Sequence, residues 1–287
     1  MSSDIRLVGD LMIFFVAGLY FVQSGLRDYL FIQKIKSTPV SKVGAAAVGF
    51  VELSGEAEDA AAPLKSPVSC TPCTYWKITG EYYHGGKGAG WYSIYLAQSR
   101  EDFIIQDDTG RLPVRPDGAR VEMSPSQIFE GYMYKPGAQP LEDEPMDERA
   151  MRYIWSLSGT ARDLFRLHSF QKIRITEYCL VDDMPLYVIG SAVPADKATD
   201  PSCPGPLEIS KGPNDKTIYF STLPEHSVLE NHSRWLSLRI FGGLAVSCVT
   251  LFALLIVVGL MRDALFALSI ALGLLAVCFV LSKLGIW

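Results

Sequence analysis

The stretch LKSPVSCTPCTYW, residues 64–76, places Cys70 and Cys73 three positions apart. That spacing is compatible with a metal clip, a redox pair, or a strand entering a core. A structural zinc site needs four ligands, usually from two close pairs. The other thiols and imidazoles between the apolar stretches are Cys179, Cys203, His84, His168, His226 and His232, and they supply no second pair. A redox pair sits at a helix N-terminus, which lowers the thiol pKa. Here the β-prone run TYWKI follows instead. The expectation is one thiol buried in a strand, with no metal held by Cys70 and Cys73 and no cofactor.

Other chemistry-bearing patterns are as sparse. No Ser lies in a G-x-S-x-G elbow, and no H-E-x-x-H is present. GGKGAG at 85–90 is glycine-rich and holds Lys87, but it lacks the G-K-[ST] ending of a phosphate loop and reads as a hairpin turn. Asp107 and Asp108, like Asp182 and Asp183, are adjacent carboxylates on turns, where solvation is the usual fate. Asn231-His232-Ser233 is a glycosylation sequon only if it faces the outside. No catalytic residue emerges. The candidate ligand-facing residues are His84, Lys87, Trp91, Asp107 and Asp108, on the two hairpin loops 84–90 and 107–110.

The elements that must position these residues alternate apolar and polar positions at short spacing. VGAAAVGFVELSGEAE, CTYWKITGEYY, GWYSIYLAQS and EDFIIQDDTGRLPVRPDG read as strands separated by turns, a meander or small barrel rather than βαβ units. Gly110 is expected to supply the positive φ of the DDTG hairpin. Residues 147–168 show apolar positions three and four apart, Met151, Ile154, Leu157, Ala161, Leu164, Phe165 and Leu167, and predict one amphipathic helix weakened by Gly159. QKIRITEYCLVDDMPLYVIGSAV adds two strands around a turn at Asp182–Pro185. A proline-rich loop at 194–216 and a last strand TIYFST follow.

The 287 residues carry a net charge of −5, and 20% of them are charged. A mean hydropathy of +0.19 is high for such a chain and is concentrated in three stretches. These run from Leu7 to Leu26, from Ile240 to Met261 without a charge, and from Ala264 to Leu281. Each is close to the roughly 20 residues that cross a bilayer at about 1.5 Å per residue. The first, though interrupted by Asp10 and Gln23, reads as an uncleaved anchor because no small-x-small exit precedes RDYLFIQKIK. The other two are joined by Arg262 and Asp263 and predict a tight hairpin. Arg27, Lys34, Lys36, Lys42, Arg234 and Arg239 flank the middle segment, whereas Arg6 and Arg262 lie on the opposite side. The positive-inside rule therefore predicts a multi-pass membrane protein with a cytoplasmic middle domain and an external N-terminus. Six cysteines, two of them inside spans, fit a reducing compartment. No basic patch with interleaved aromatics suggests nucleic acid. Small residues such as Gly242, Gly243 and Gly259 suit close helix approach, within one chain or between copies.

The expected class is α+β: an N-terminal anchor (1–31), a β-rich domain (32–238, with the helix at 147–168) and a C-terminal helical hairpin (239–287). The ordered series VELSGEAE, LKSPVSCTPCTYW, Trp91, DFIIQDDTGRLPVRPDGARV and RITEYCLVDDMPLYVIGSAV resembles the GIDE/BAM-type domain of the mitochondrial ubiquitin ligases called MULAN or MAPL, and of their prokaryotic relatives. Ser66, Pro67, Cys73, Tyr75, Trp91, Asp108, Gly110, Glu177 and Gly190 stand at matching positions. The family's thiol corresponds to Cys73, whereas Cys70 falls where glycine is usual, and Met184-Pro185 replaces its usual Gly-Asp. In the eukaryotic ligases a span is followed by a RING with eight zinc ligands, and no such set follows Ala264–Leu281. The resemblance therefore implies a membrane-bound binding or scaffold module, with the bilayer and a protein as partners and no catalysis of its own. The other reading it leaves is an accessory or divergent ligase-family member, active in a stress response with a separate catalytic chain. In either reading Tyr75, Trp76, Tyr82, Tyr83, Trp91, Tyr92 and Tyr95 are expected mostly in the core, a minority lining a groove.

Overall fold

The computed structural model describes residues 2–60, 62–137, 144–195, 207–212, 218–223, 233 and 235–257. The chain divides into two units, Thr38–Glu225 and the flanking segments Met1–Ser37 with His226–Trp287. The middle unit lies within the expected 32–238, and the first helix continues through the basic run to Ser37.

The flanking unit contains helices α1 (Ser2–Ser37) and α4 (Leu236–Val257). Both are long and apolar enough to cross a membrane. At about 1.5 Å per residue, the 36 residues of α1 extend about 54 Å. Small residues set the approach of the two helices: a Cβ added to Gly18 would lie 2.8 Å from the Gly243 carbonyl oxygen, and one added to Gly243 would lie 2.8 Å from that of Gly18. Arg239 pairs with Asp28 at 2.5 Å. The third apolar stretch, Ala264–Leu281, lies outside the described residues.

The middle unit begins with β1 (Val40–Ser41), a 3-10 turn (Val43–Ala45) and β2 (Gly49–Glu58). Next come β3 (Leu64–Lys65), β4 (Pro72–Cys73), β5 (Tyr75–His84) and β6 (Gly90–Gln98). They are followed by β7 (Phe103–Asp107), β8 (Gly110–Val114), β9 (Arg120–Glu122) and β10 (Gln127–Tyr132). Helices α2 (Met146–Ser156) and α3 (Gly159–Leu167) precede β11 (Lys172–Leu180), β12 (Pro185–Pro194), β13 (Leu207–Ser210) and β14 (Tyr219–Ser221).

The larger sheet closes on itself through the order β2-β7-β8-β13-β12 and the β12–β2 pairing, making a barrel-like ring. A simple meander is excluded, because β1–β2, β8–β13 and β9–β14 pair in parallel. The alternation along each strand sends Leu53, Phe103, Ile105, Val114, Val188 and Ile209 into one core. At its centre the Tyr75 and Phe220 rings meet edge to face at 4.9 Å, and Phe103 meets Phe220 at 5.3 Å.

The smaller sheet, β10-β11-β5-β6, is antiparallel throughout. Its inner face, Ile78, Phe129, Ile173 and Ile175, packs on Ala150, Met151 and Ile154 of α2 and Phe165 of α3. The single helix expected over 147–168 is two helices. Leu157 and Ser158 are extended, and Gly159 takes φ +56°, a value that breaks the hydrogen-bond ladder and suits glycine. The break turns Phe165 into the core and leaves Leu167 75% exposed, against the sequence pattern.

Candidate binding surface

Three clusters hold the residues singled out by sequence. The first is built on β11, whose inward positions read Ile173, Ile175, Glu177. Glu177 is a fully buried carboxylate at a position where the pattern puts aliphatic residues. It accepts hydrogen bonds from the Ser66 hydroxyl and from the amides of Val68 at 3.0 Å and Ser69 at 3.2 Å. The turn 66–71 wraps it: the Cys70 amide donates to the Ser66 carbonyl and the Ser66 amide to that of Thr71. Arg149 clips the turn from α2 by donating to the Ser69 carbonyl at 2.8 Å. Pro67 is half-buried within this turn.

The two cysteines of the opening motif part company here. Cys70 is exposed with φ +60°, whereas Cys73 is buried. The neighbour of Cys73 is Cys179; their hydrogen bond, burial and the Glu177 carboxylate push the Cys73 thiol up. Among the described residues no group of three His, Cys, Asp or Glu is placed to hold a metal ion.

The second cluster is the β7–β8 hairpin. The Asp107 carboxylate accepts from the Val43 amide (3.0 Å), the Thr109 amide (2.7 Å) and hydroxyl (2.6 Å), and the Gly110 amide (3.1 Å). Burial pushes its pKa up, but these bonds outweigh burial and hold it below the ordinary value. Gly44 lies so close that an added Cβ would sit 2.4 Å from the Thr109 carbonyl oxygen. Asp108 is exposed and pairs with Lys42 at 2.5 Å. Asp107 therefore fastens the 42–45 segment to the barrel. Beside it, Ser54, Gly55, Glu56, Gln106, Asp107, Asp108 and Pro185 line an open groove of about 520 Å³.

The third cluster surrounds the β5–β6 hairpin and the outer face of the smaller sheet. Gly86 and Gly88 take positive φ, and Tyr92 ties the loop by donating to the Gly88 carbonyl at 3.1 Å. His84 and Lys87 are exposed on it. Cross-strand register sets Glu130, Arg174, Glu81 and Ser93 in one row, and pairs Tyr132 with Lys172 and Tyr83 with Trp91. The Arg174 guanidinium stacks 3.8 Å from the centre of the Trp91 ring and pairs with both Glu130 (3.0 Å) and Glu81 (3.5 Å). Lys172 and Arg174 together hold the Glu130 carboxyl below its ordinary value. Around this ladder Leu96, Ile128 and Tyr132 are 60%, 56% and 62% exposed.

His84, Lys87 and Trp91 thus share one hairpin, while Asp107 and Asp108 belong to the other sheet. Of the expected core aromatics, Tyr75 is fully buried, but Tyr83 and Tyr92 are exposed at the sheet surface. Gly190 packs its bare face on Ile209 across β12 and β13. Arg174, Lys172, Glu130, Ile128 and Leu96 escaped the sequence reading. Their signal, alternate positions on strands not adjacent in sequence, becomes visible only with the register. Compared with protein-family models, curated proteins and solved structures, the chain matches none.

Proposed function

We propose that the chain is a membrane-anchored binding module that presents the outer face of its four-stranded sheet to a protein partner in the cytoplasm. The single observation that carries this reading is that face: an ion ladder centred on Arg174 and Trp91, ringed by exposed Leu96, Ile128 and Tyr132. A rigid cation stacked on an aromatic and bordered by apolar side chains has the composition of a binding hot spot, where Trp, Tyr and Arg dominate. The GIDE/BAM-type resemblance is consistent with this, since its matching residues Ser66, Pro67, Cys73 and Glu177 gather in a clamp that serves the fold. Three spans, with the third at Ala264–Leu281, put the N-terminus outside and the domain inside, as the flanking Lys and Arg require.

Proximity labelling from the full-length chain in its membrane tests the reading, with wild type compared against Ile128→Glu and Arg174→Glu. A partner set that both variants lose supports it. An identical labelled set in all three contradicts it. A conjugating enzyme or RING-bearing chain within the lost set would assign the module to a ligase system.

A further inference from the structure

The smaller sheet ends in β6, a nine-residue strand that, among the described residues, pairs only with β5. Exposed strand edges template further pairing, and proteins normally blunt them with charged residues, proline or a bulge. The run from Gly90 to Ser99, GWYSIYLAQS, has neither charge nor proline, and its one irregularity falls opposite Gly80 and Glu81. Ser93 is exposed, as are Tyr92 at 45% and Leu96 at 60%.

From this edge we infer that two copies of the chain join through their β6 strands, antiparallel across a twofold axis, into one continuous sheet. The occupant is a second copy because β6 is complementary to itself. Being uncharged, it puts no like charges opposite one another when laid antiparallel on its own image. The bulge supplies the rest. Glu81 pairs with Ser93 and Gly80 with Tyr95, so Ile94 is the extra residue, and the alternation reverses there. Trp91, Ser93, Leu96 and Gln98 consequently share the outer face, although 93 and 96 would fall on opposite faces of an unbroken strand. An axis between Ile94 and Tyr95 then sets Trp91 opposite Gln98, Tyr92 opposite Ala97 and Ser93 opposite Leu96. Each pair lies on one face and matches a larger side chain with a smaller one. The interface is isologous and closes at two copies. It uses the edge opposite β10, and Leu96 and Trp91 border both that edge and the outer face.

The test uses the full-length chain in mild detergent, with mass measured by light scattering over a range of concentrations. Wild type is expected to be dimeric. Ser93→Lys with Leu96→Lys sets lysine against lysine twice and is expected to weaken association by about tenfold or more. Mixing that variant with Ser93→Glu/Leu96→Glu chains is expected to restore the dimer. As a readout that needs no charged variant to fold, differently tagged Ser93→Cys and Leu96→Cys chains are mixed and oxidised, and they are expected to cross-link to each other. A monomer at every concentration, a dimer unaffected by the lysines, or absence of the 93–96 cross-link overturns the inference.

Discussion

Glu177 reaches across 111 positions of sequence to accept the hydroxyl proton of Ser66, and with it the amides of Val68 and Ser69. A buried carboxylate surrounded by donors is stable only while all of them are in place. Removing it leaves a hydroxyl and two amides without an acceptor in a site that water does not reach. Glu177→Ala is therefore expected to cost about 3 kcal/mol or more. In a domain of this size that lowers the melting temperature by roughly 10 °C. Glu177→Gln keeps one acceptor oxygen but turns an amide toward the donors, and is expected to cost about half as much. Thermal melts of the purified protein measure both, and equal stability of wild type and Glu177→Ala would show that the clamp does not hold the fold.

Asp107 gives the fold a dependence on acid. Its carboxyl is held below the ordinary value of 3.8, so the folded state binds its proton less readily than the unfolded chain. The stabilisation it brings is present above pH 3.8 and is lost as pH falls through the lower, folded value. Asp107→Asn is expected to be less stable than wild type at pH 7, by at most about 1 kcal/mol given solvent screening. The difference is expected to vanish in strong acid. Melting curves at both pH values check the sign, and a gap that widens in acid would refute it.

The Tyr75 hydroxyl is buried in the barrel core, and no described group hydrogen-bonds it. Burial raises its pKa above the ordinary 10.0. The fold is thus favoured fully below pH 10.0, and that contribution is lost as pH rises toward the folded value. Tyr75→Phe keeps the ring contacts with Phe103 and Phe220 and deletes an orphan hydroxyl. It is expected to be neutral or stabilising by up to about 1 kcal/mol at pH 7, and more resistant than wild type to alkaline unfolding. A clear loss of stability at pH 7 would mean that the hydroxyl has a partner.

The strands were legible because alternation is a local signal. Leu53, Phe103 and Val188 all point inward as their neighbours in sequence suggest. The parallel pairings of β13 with β8 and of β14 with β9 were not, since they join segments far apart in sequence with no turn between them. The break at Leu157–Ser158 was half visible: Gly159 weakened the helix on paper, and its positive φ ends it in space. Cys70 and Cys73 looked like one motif, yet a left-handed turn residue and a buried strand thiol are separated by only two positions. Arg174 was missed because its importance comes from Trp91, Glu81 and Glu130, on three other strands. The family-motif residues were found, but that Ser66 and Glu177 meet is a long-range fact with no local trace.

The proposed function requires the β-rich domain to face the cytoplasm, and Cys70 reports its side directly. Cys70 is exposed on the surface turn, whereas Cys73 and Cys179 are buried. Intact cells are treated with a membrane-impermeant maleimide before and after permeabilisation, and wild type is compared with Cys70→Ser. Labelling that is lost in Cys70→Ser and arises only after permeabilisation is expected. Cys70-dependent labelling of intact cells would place the domain outside and contradict the account.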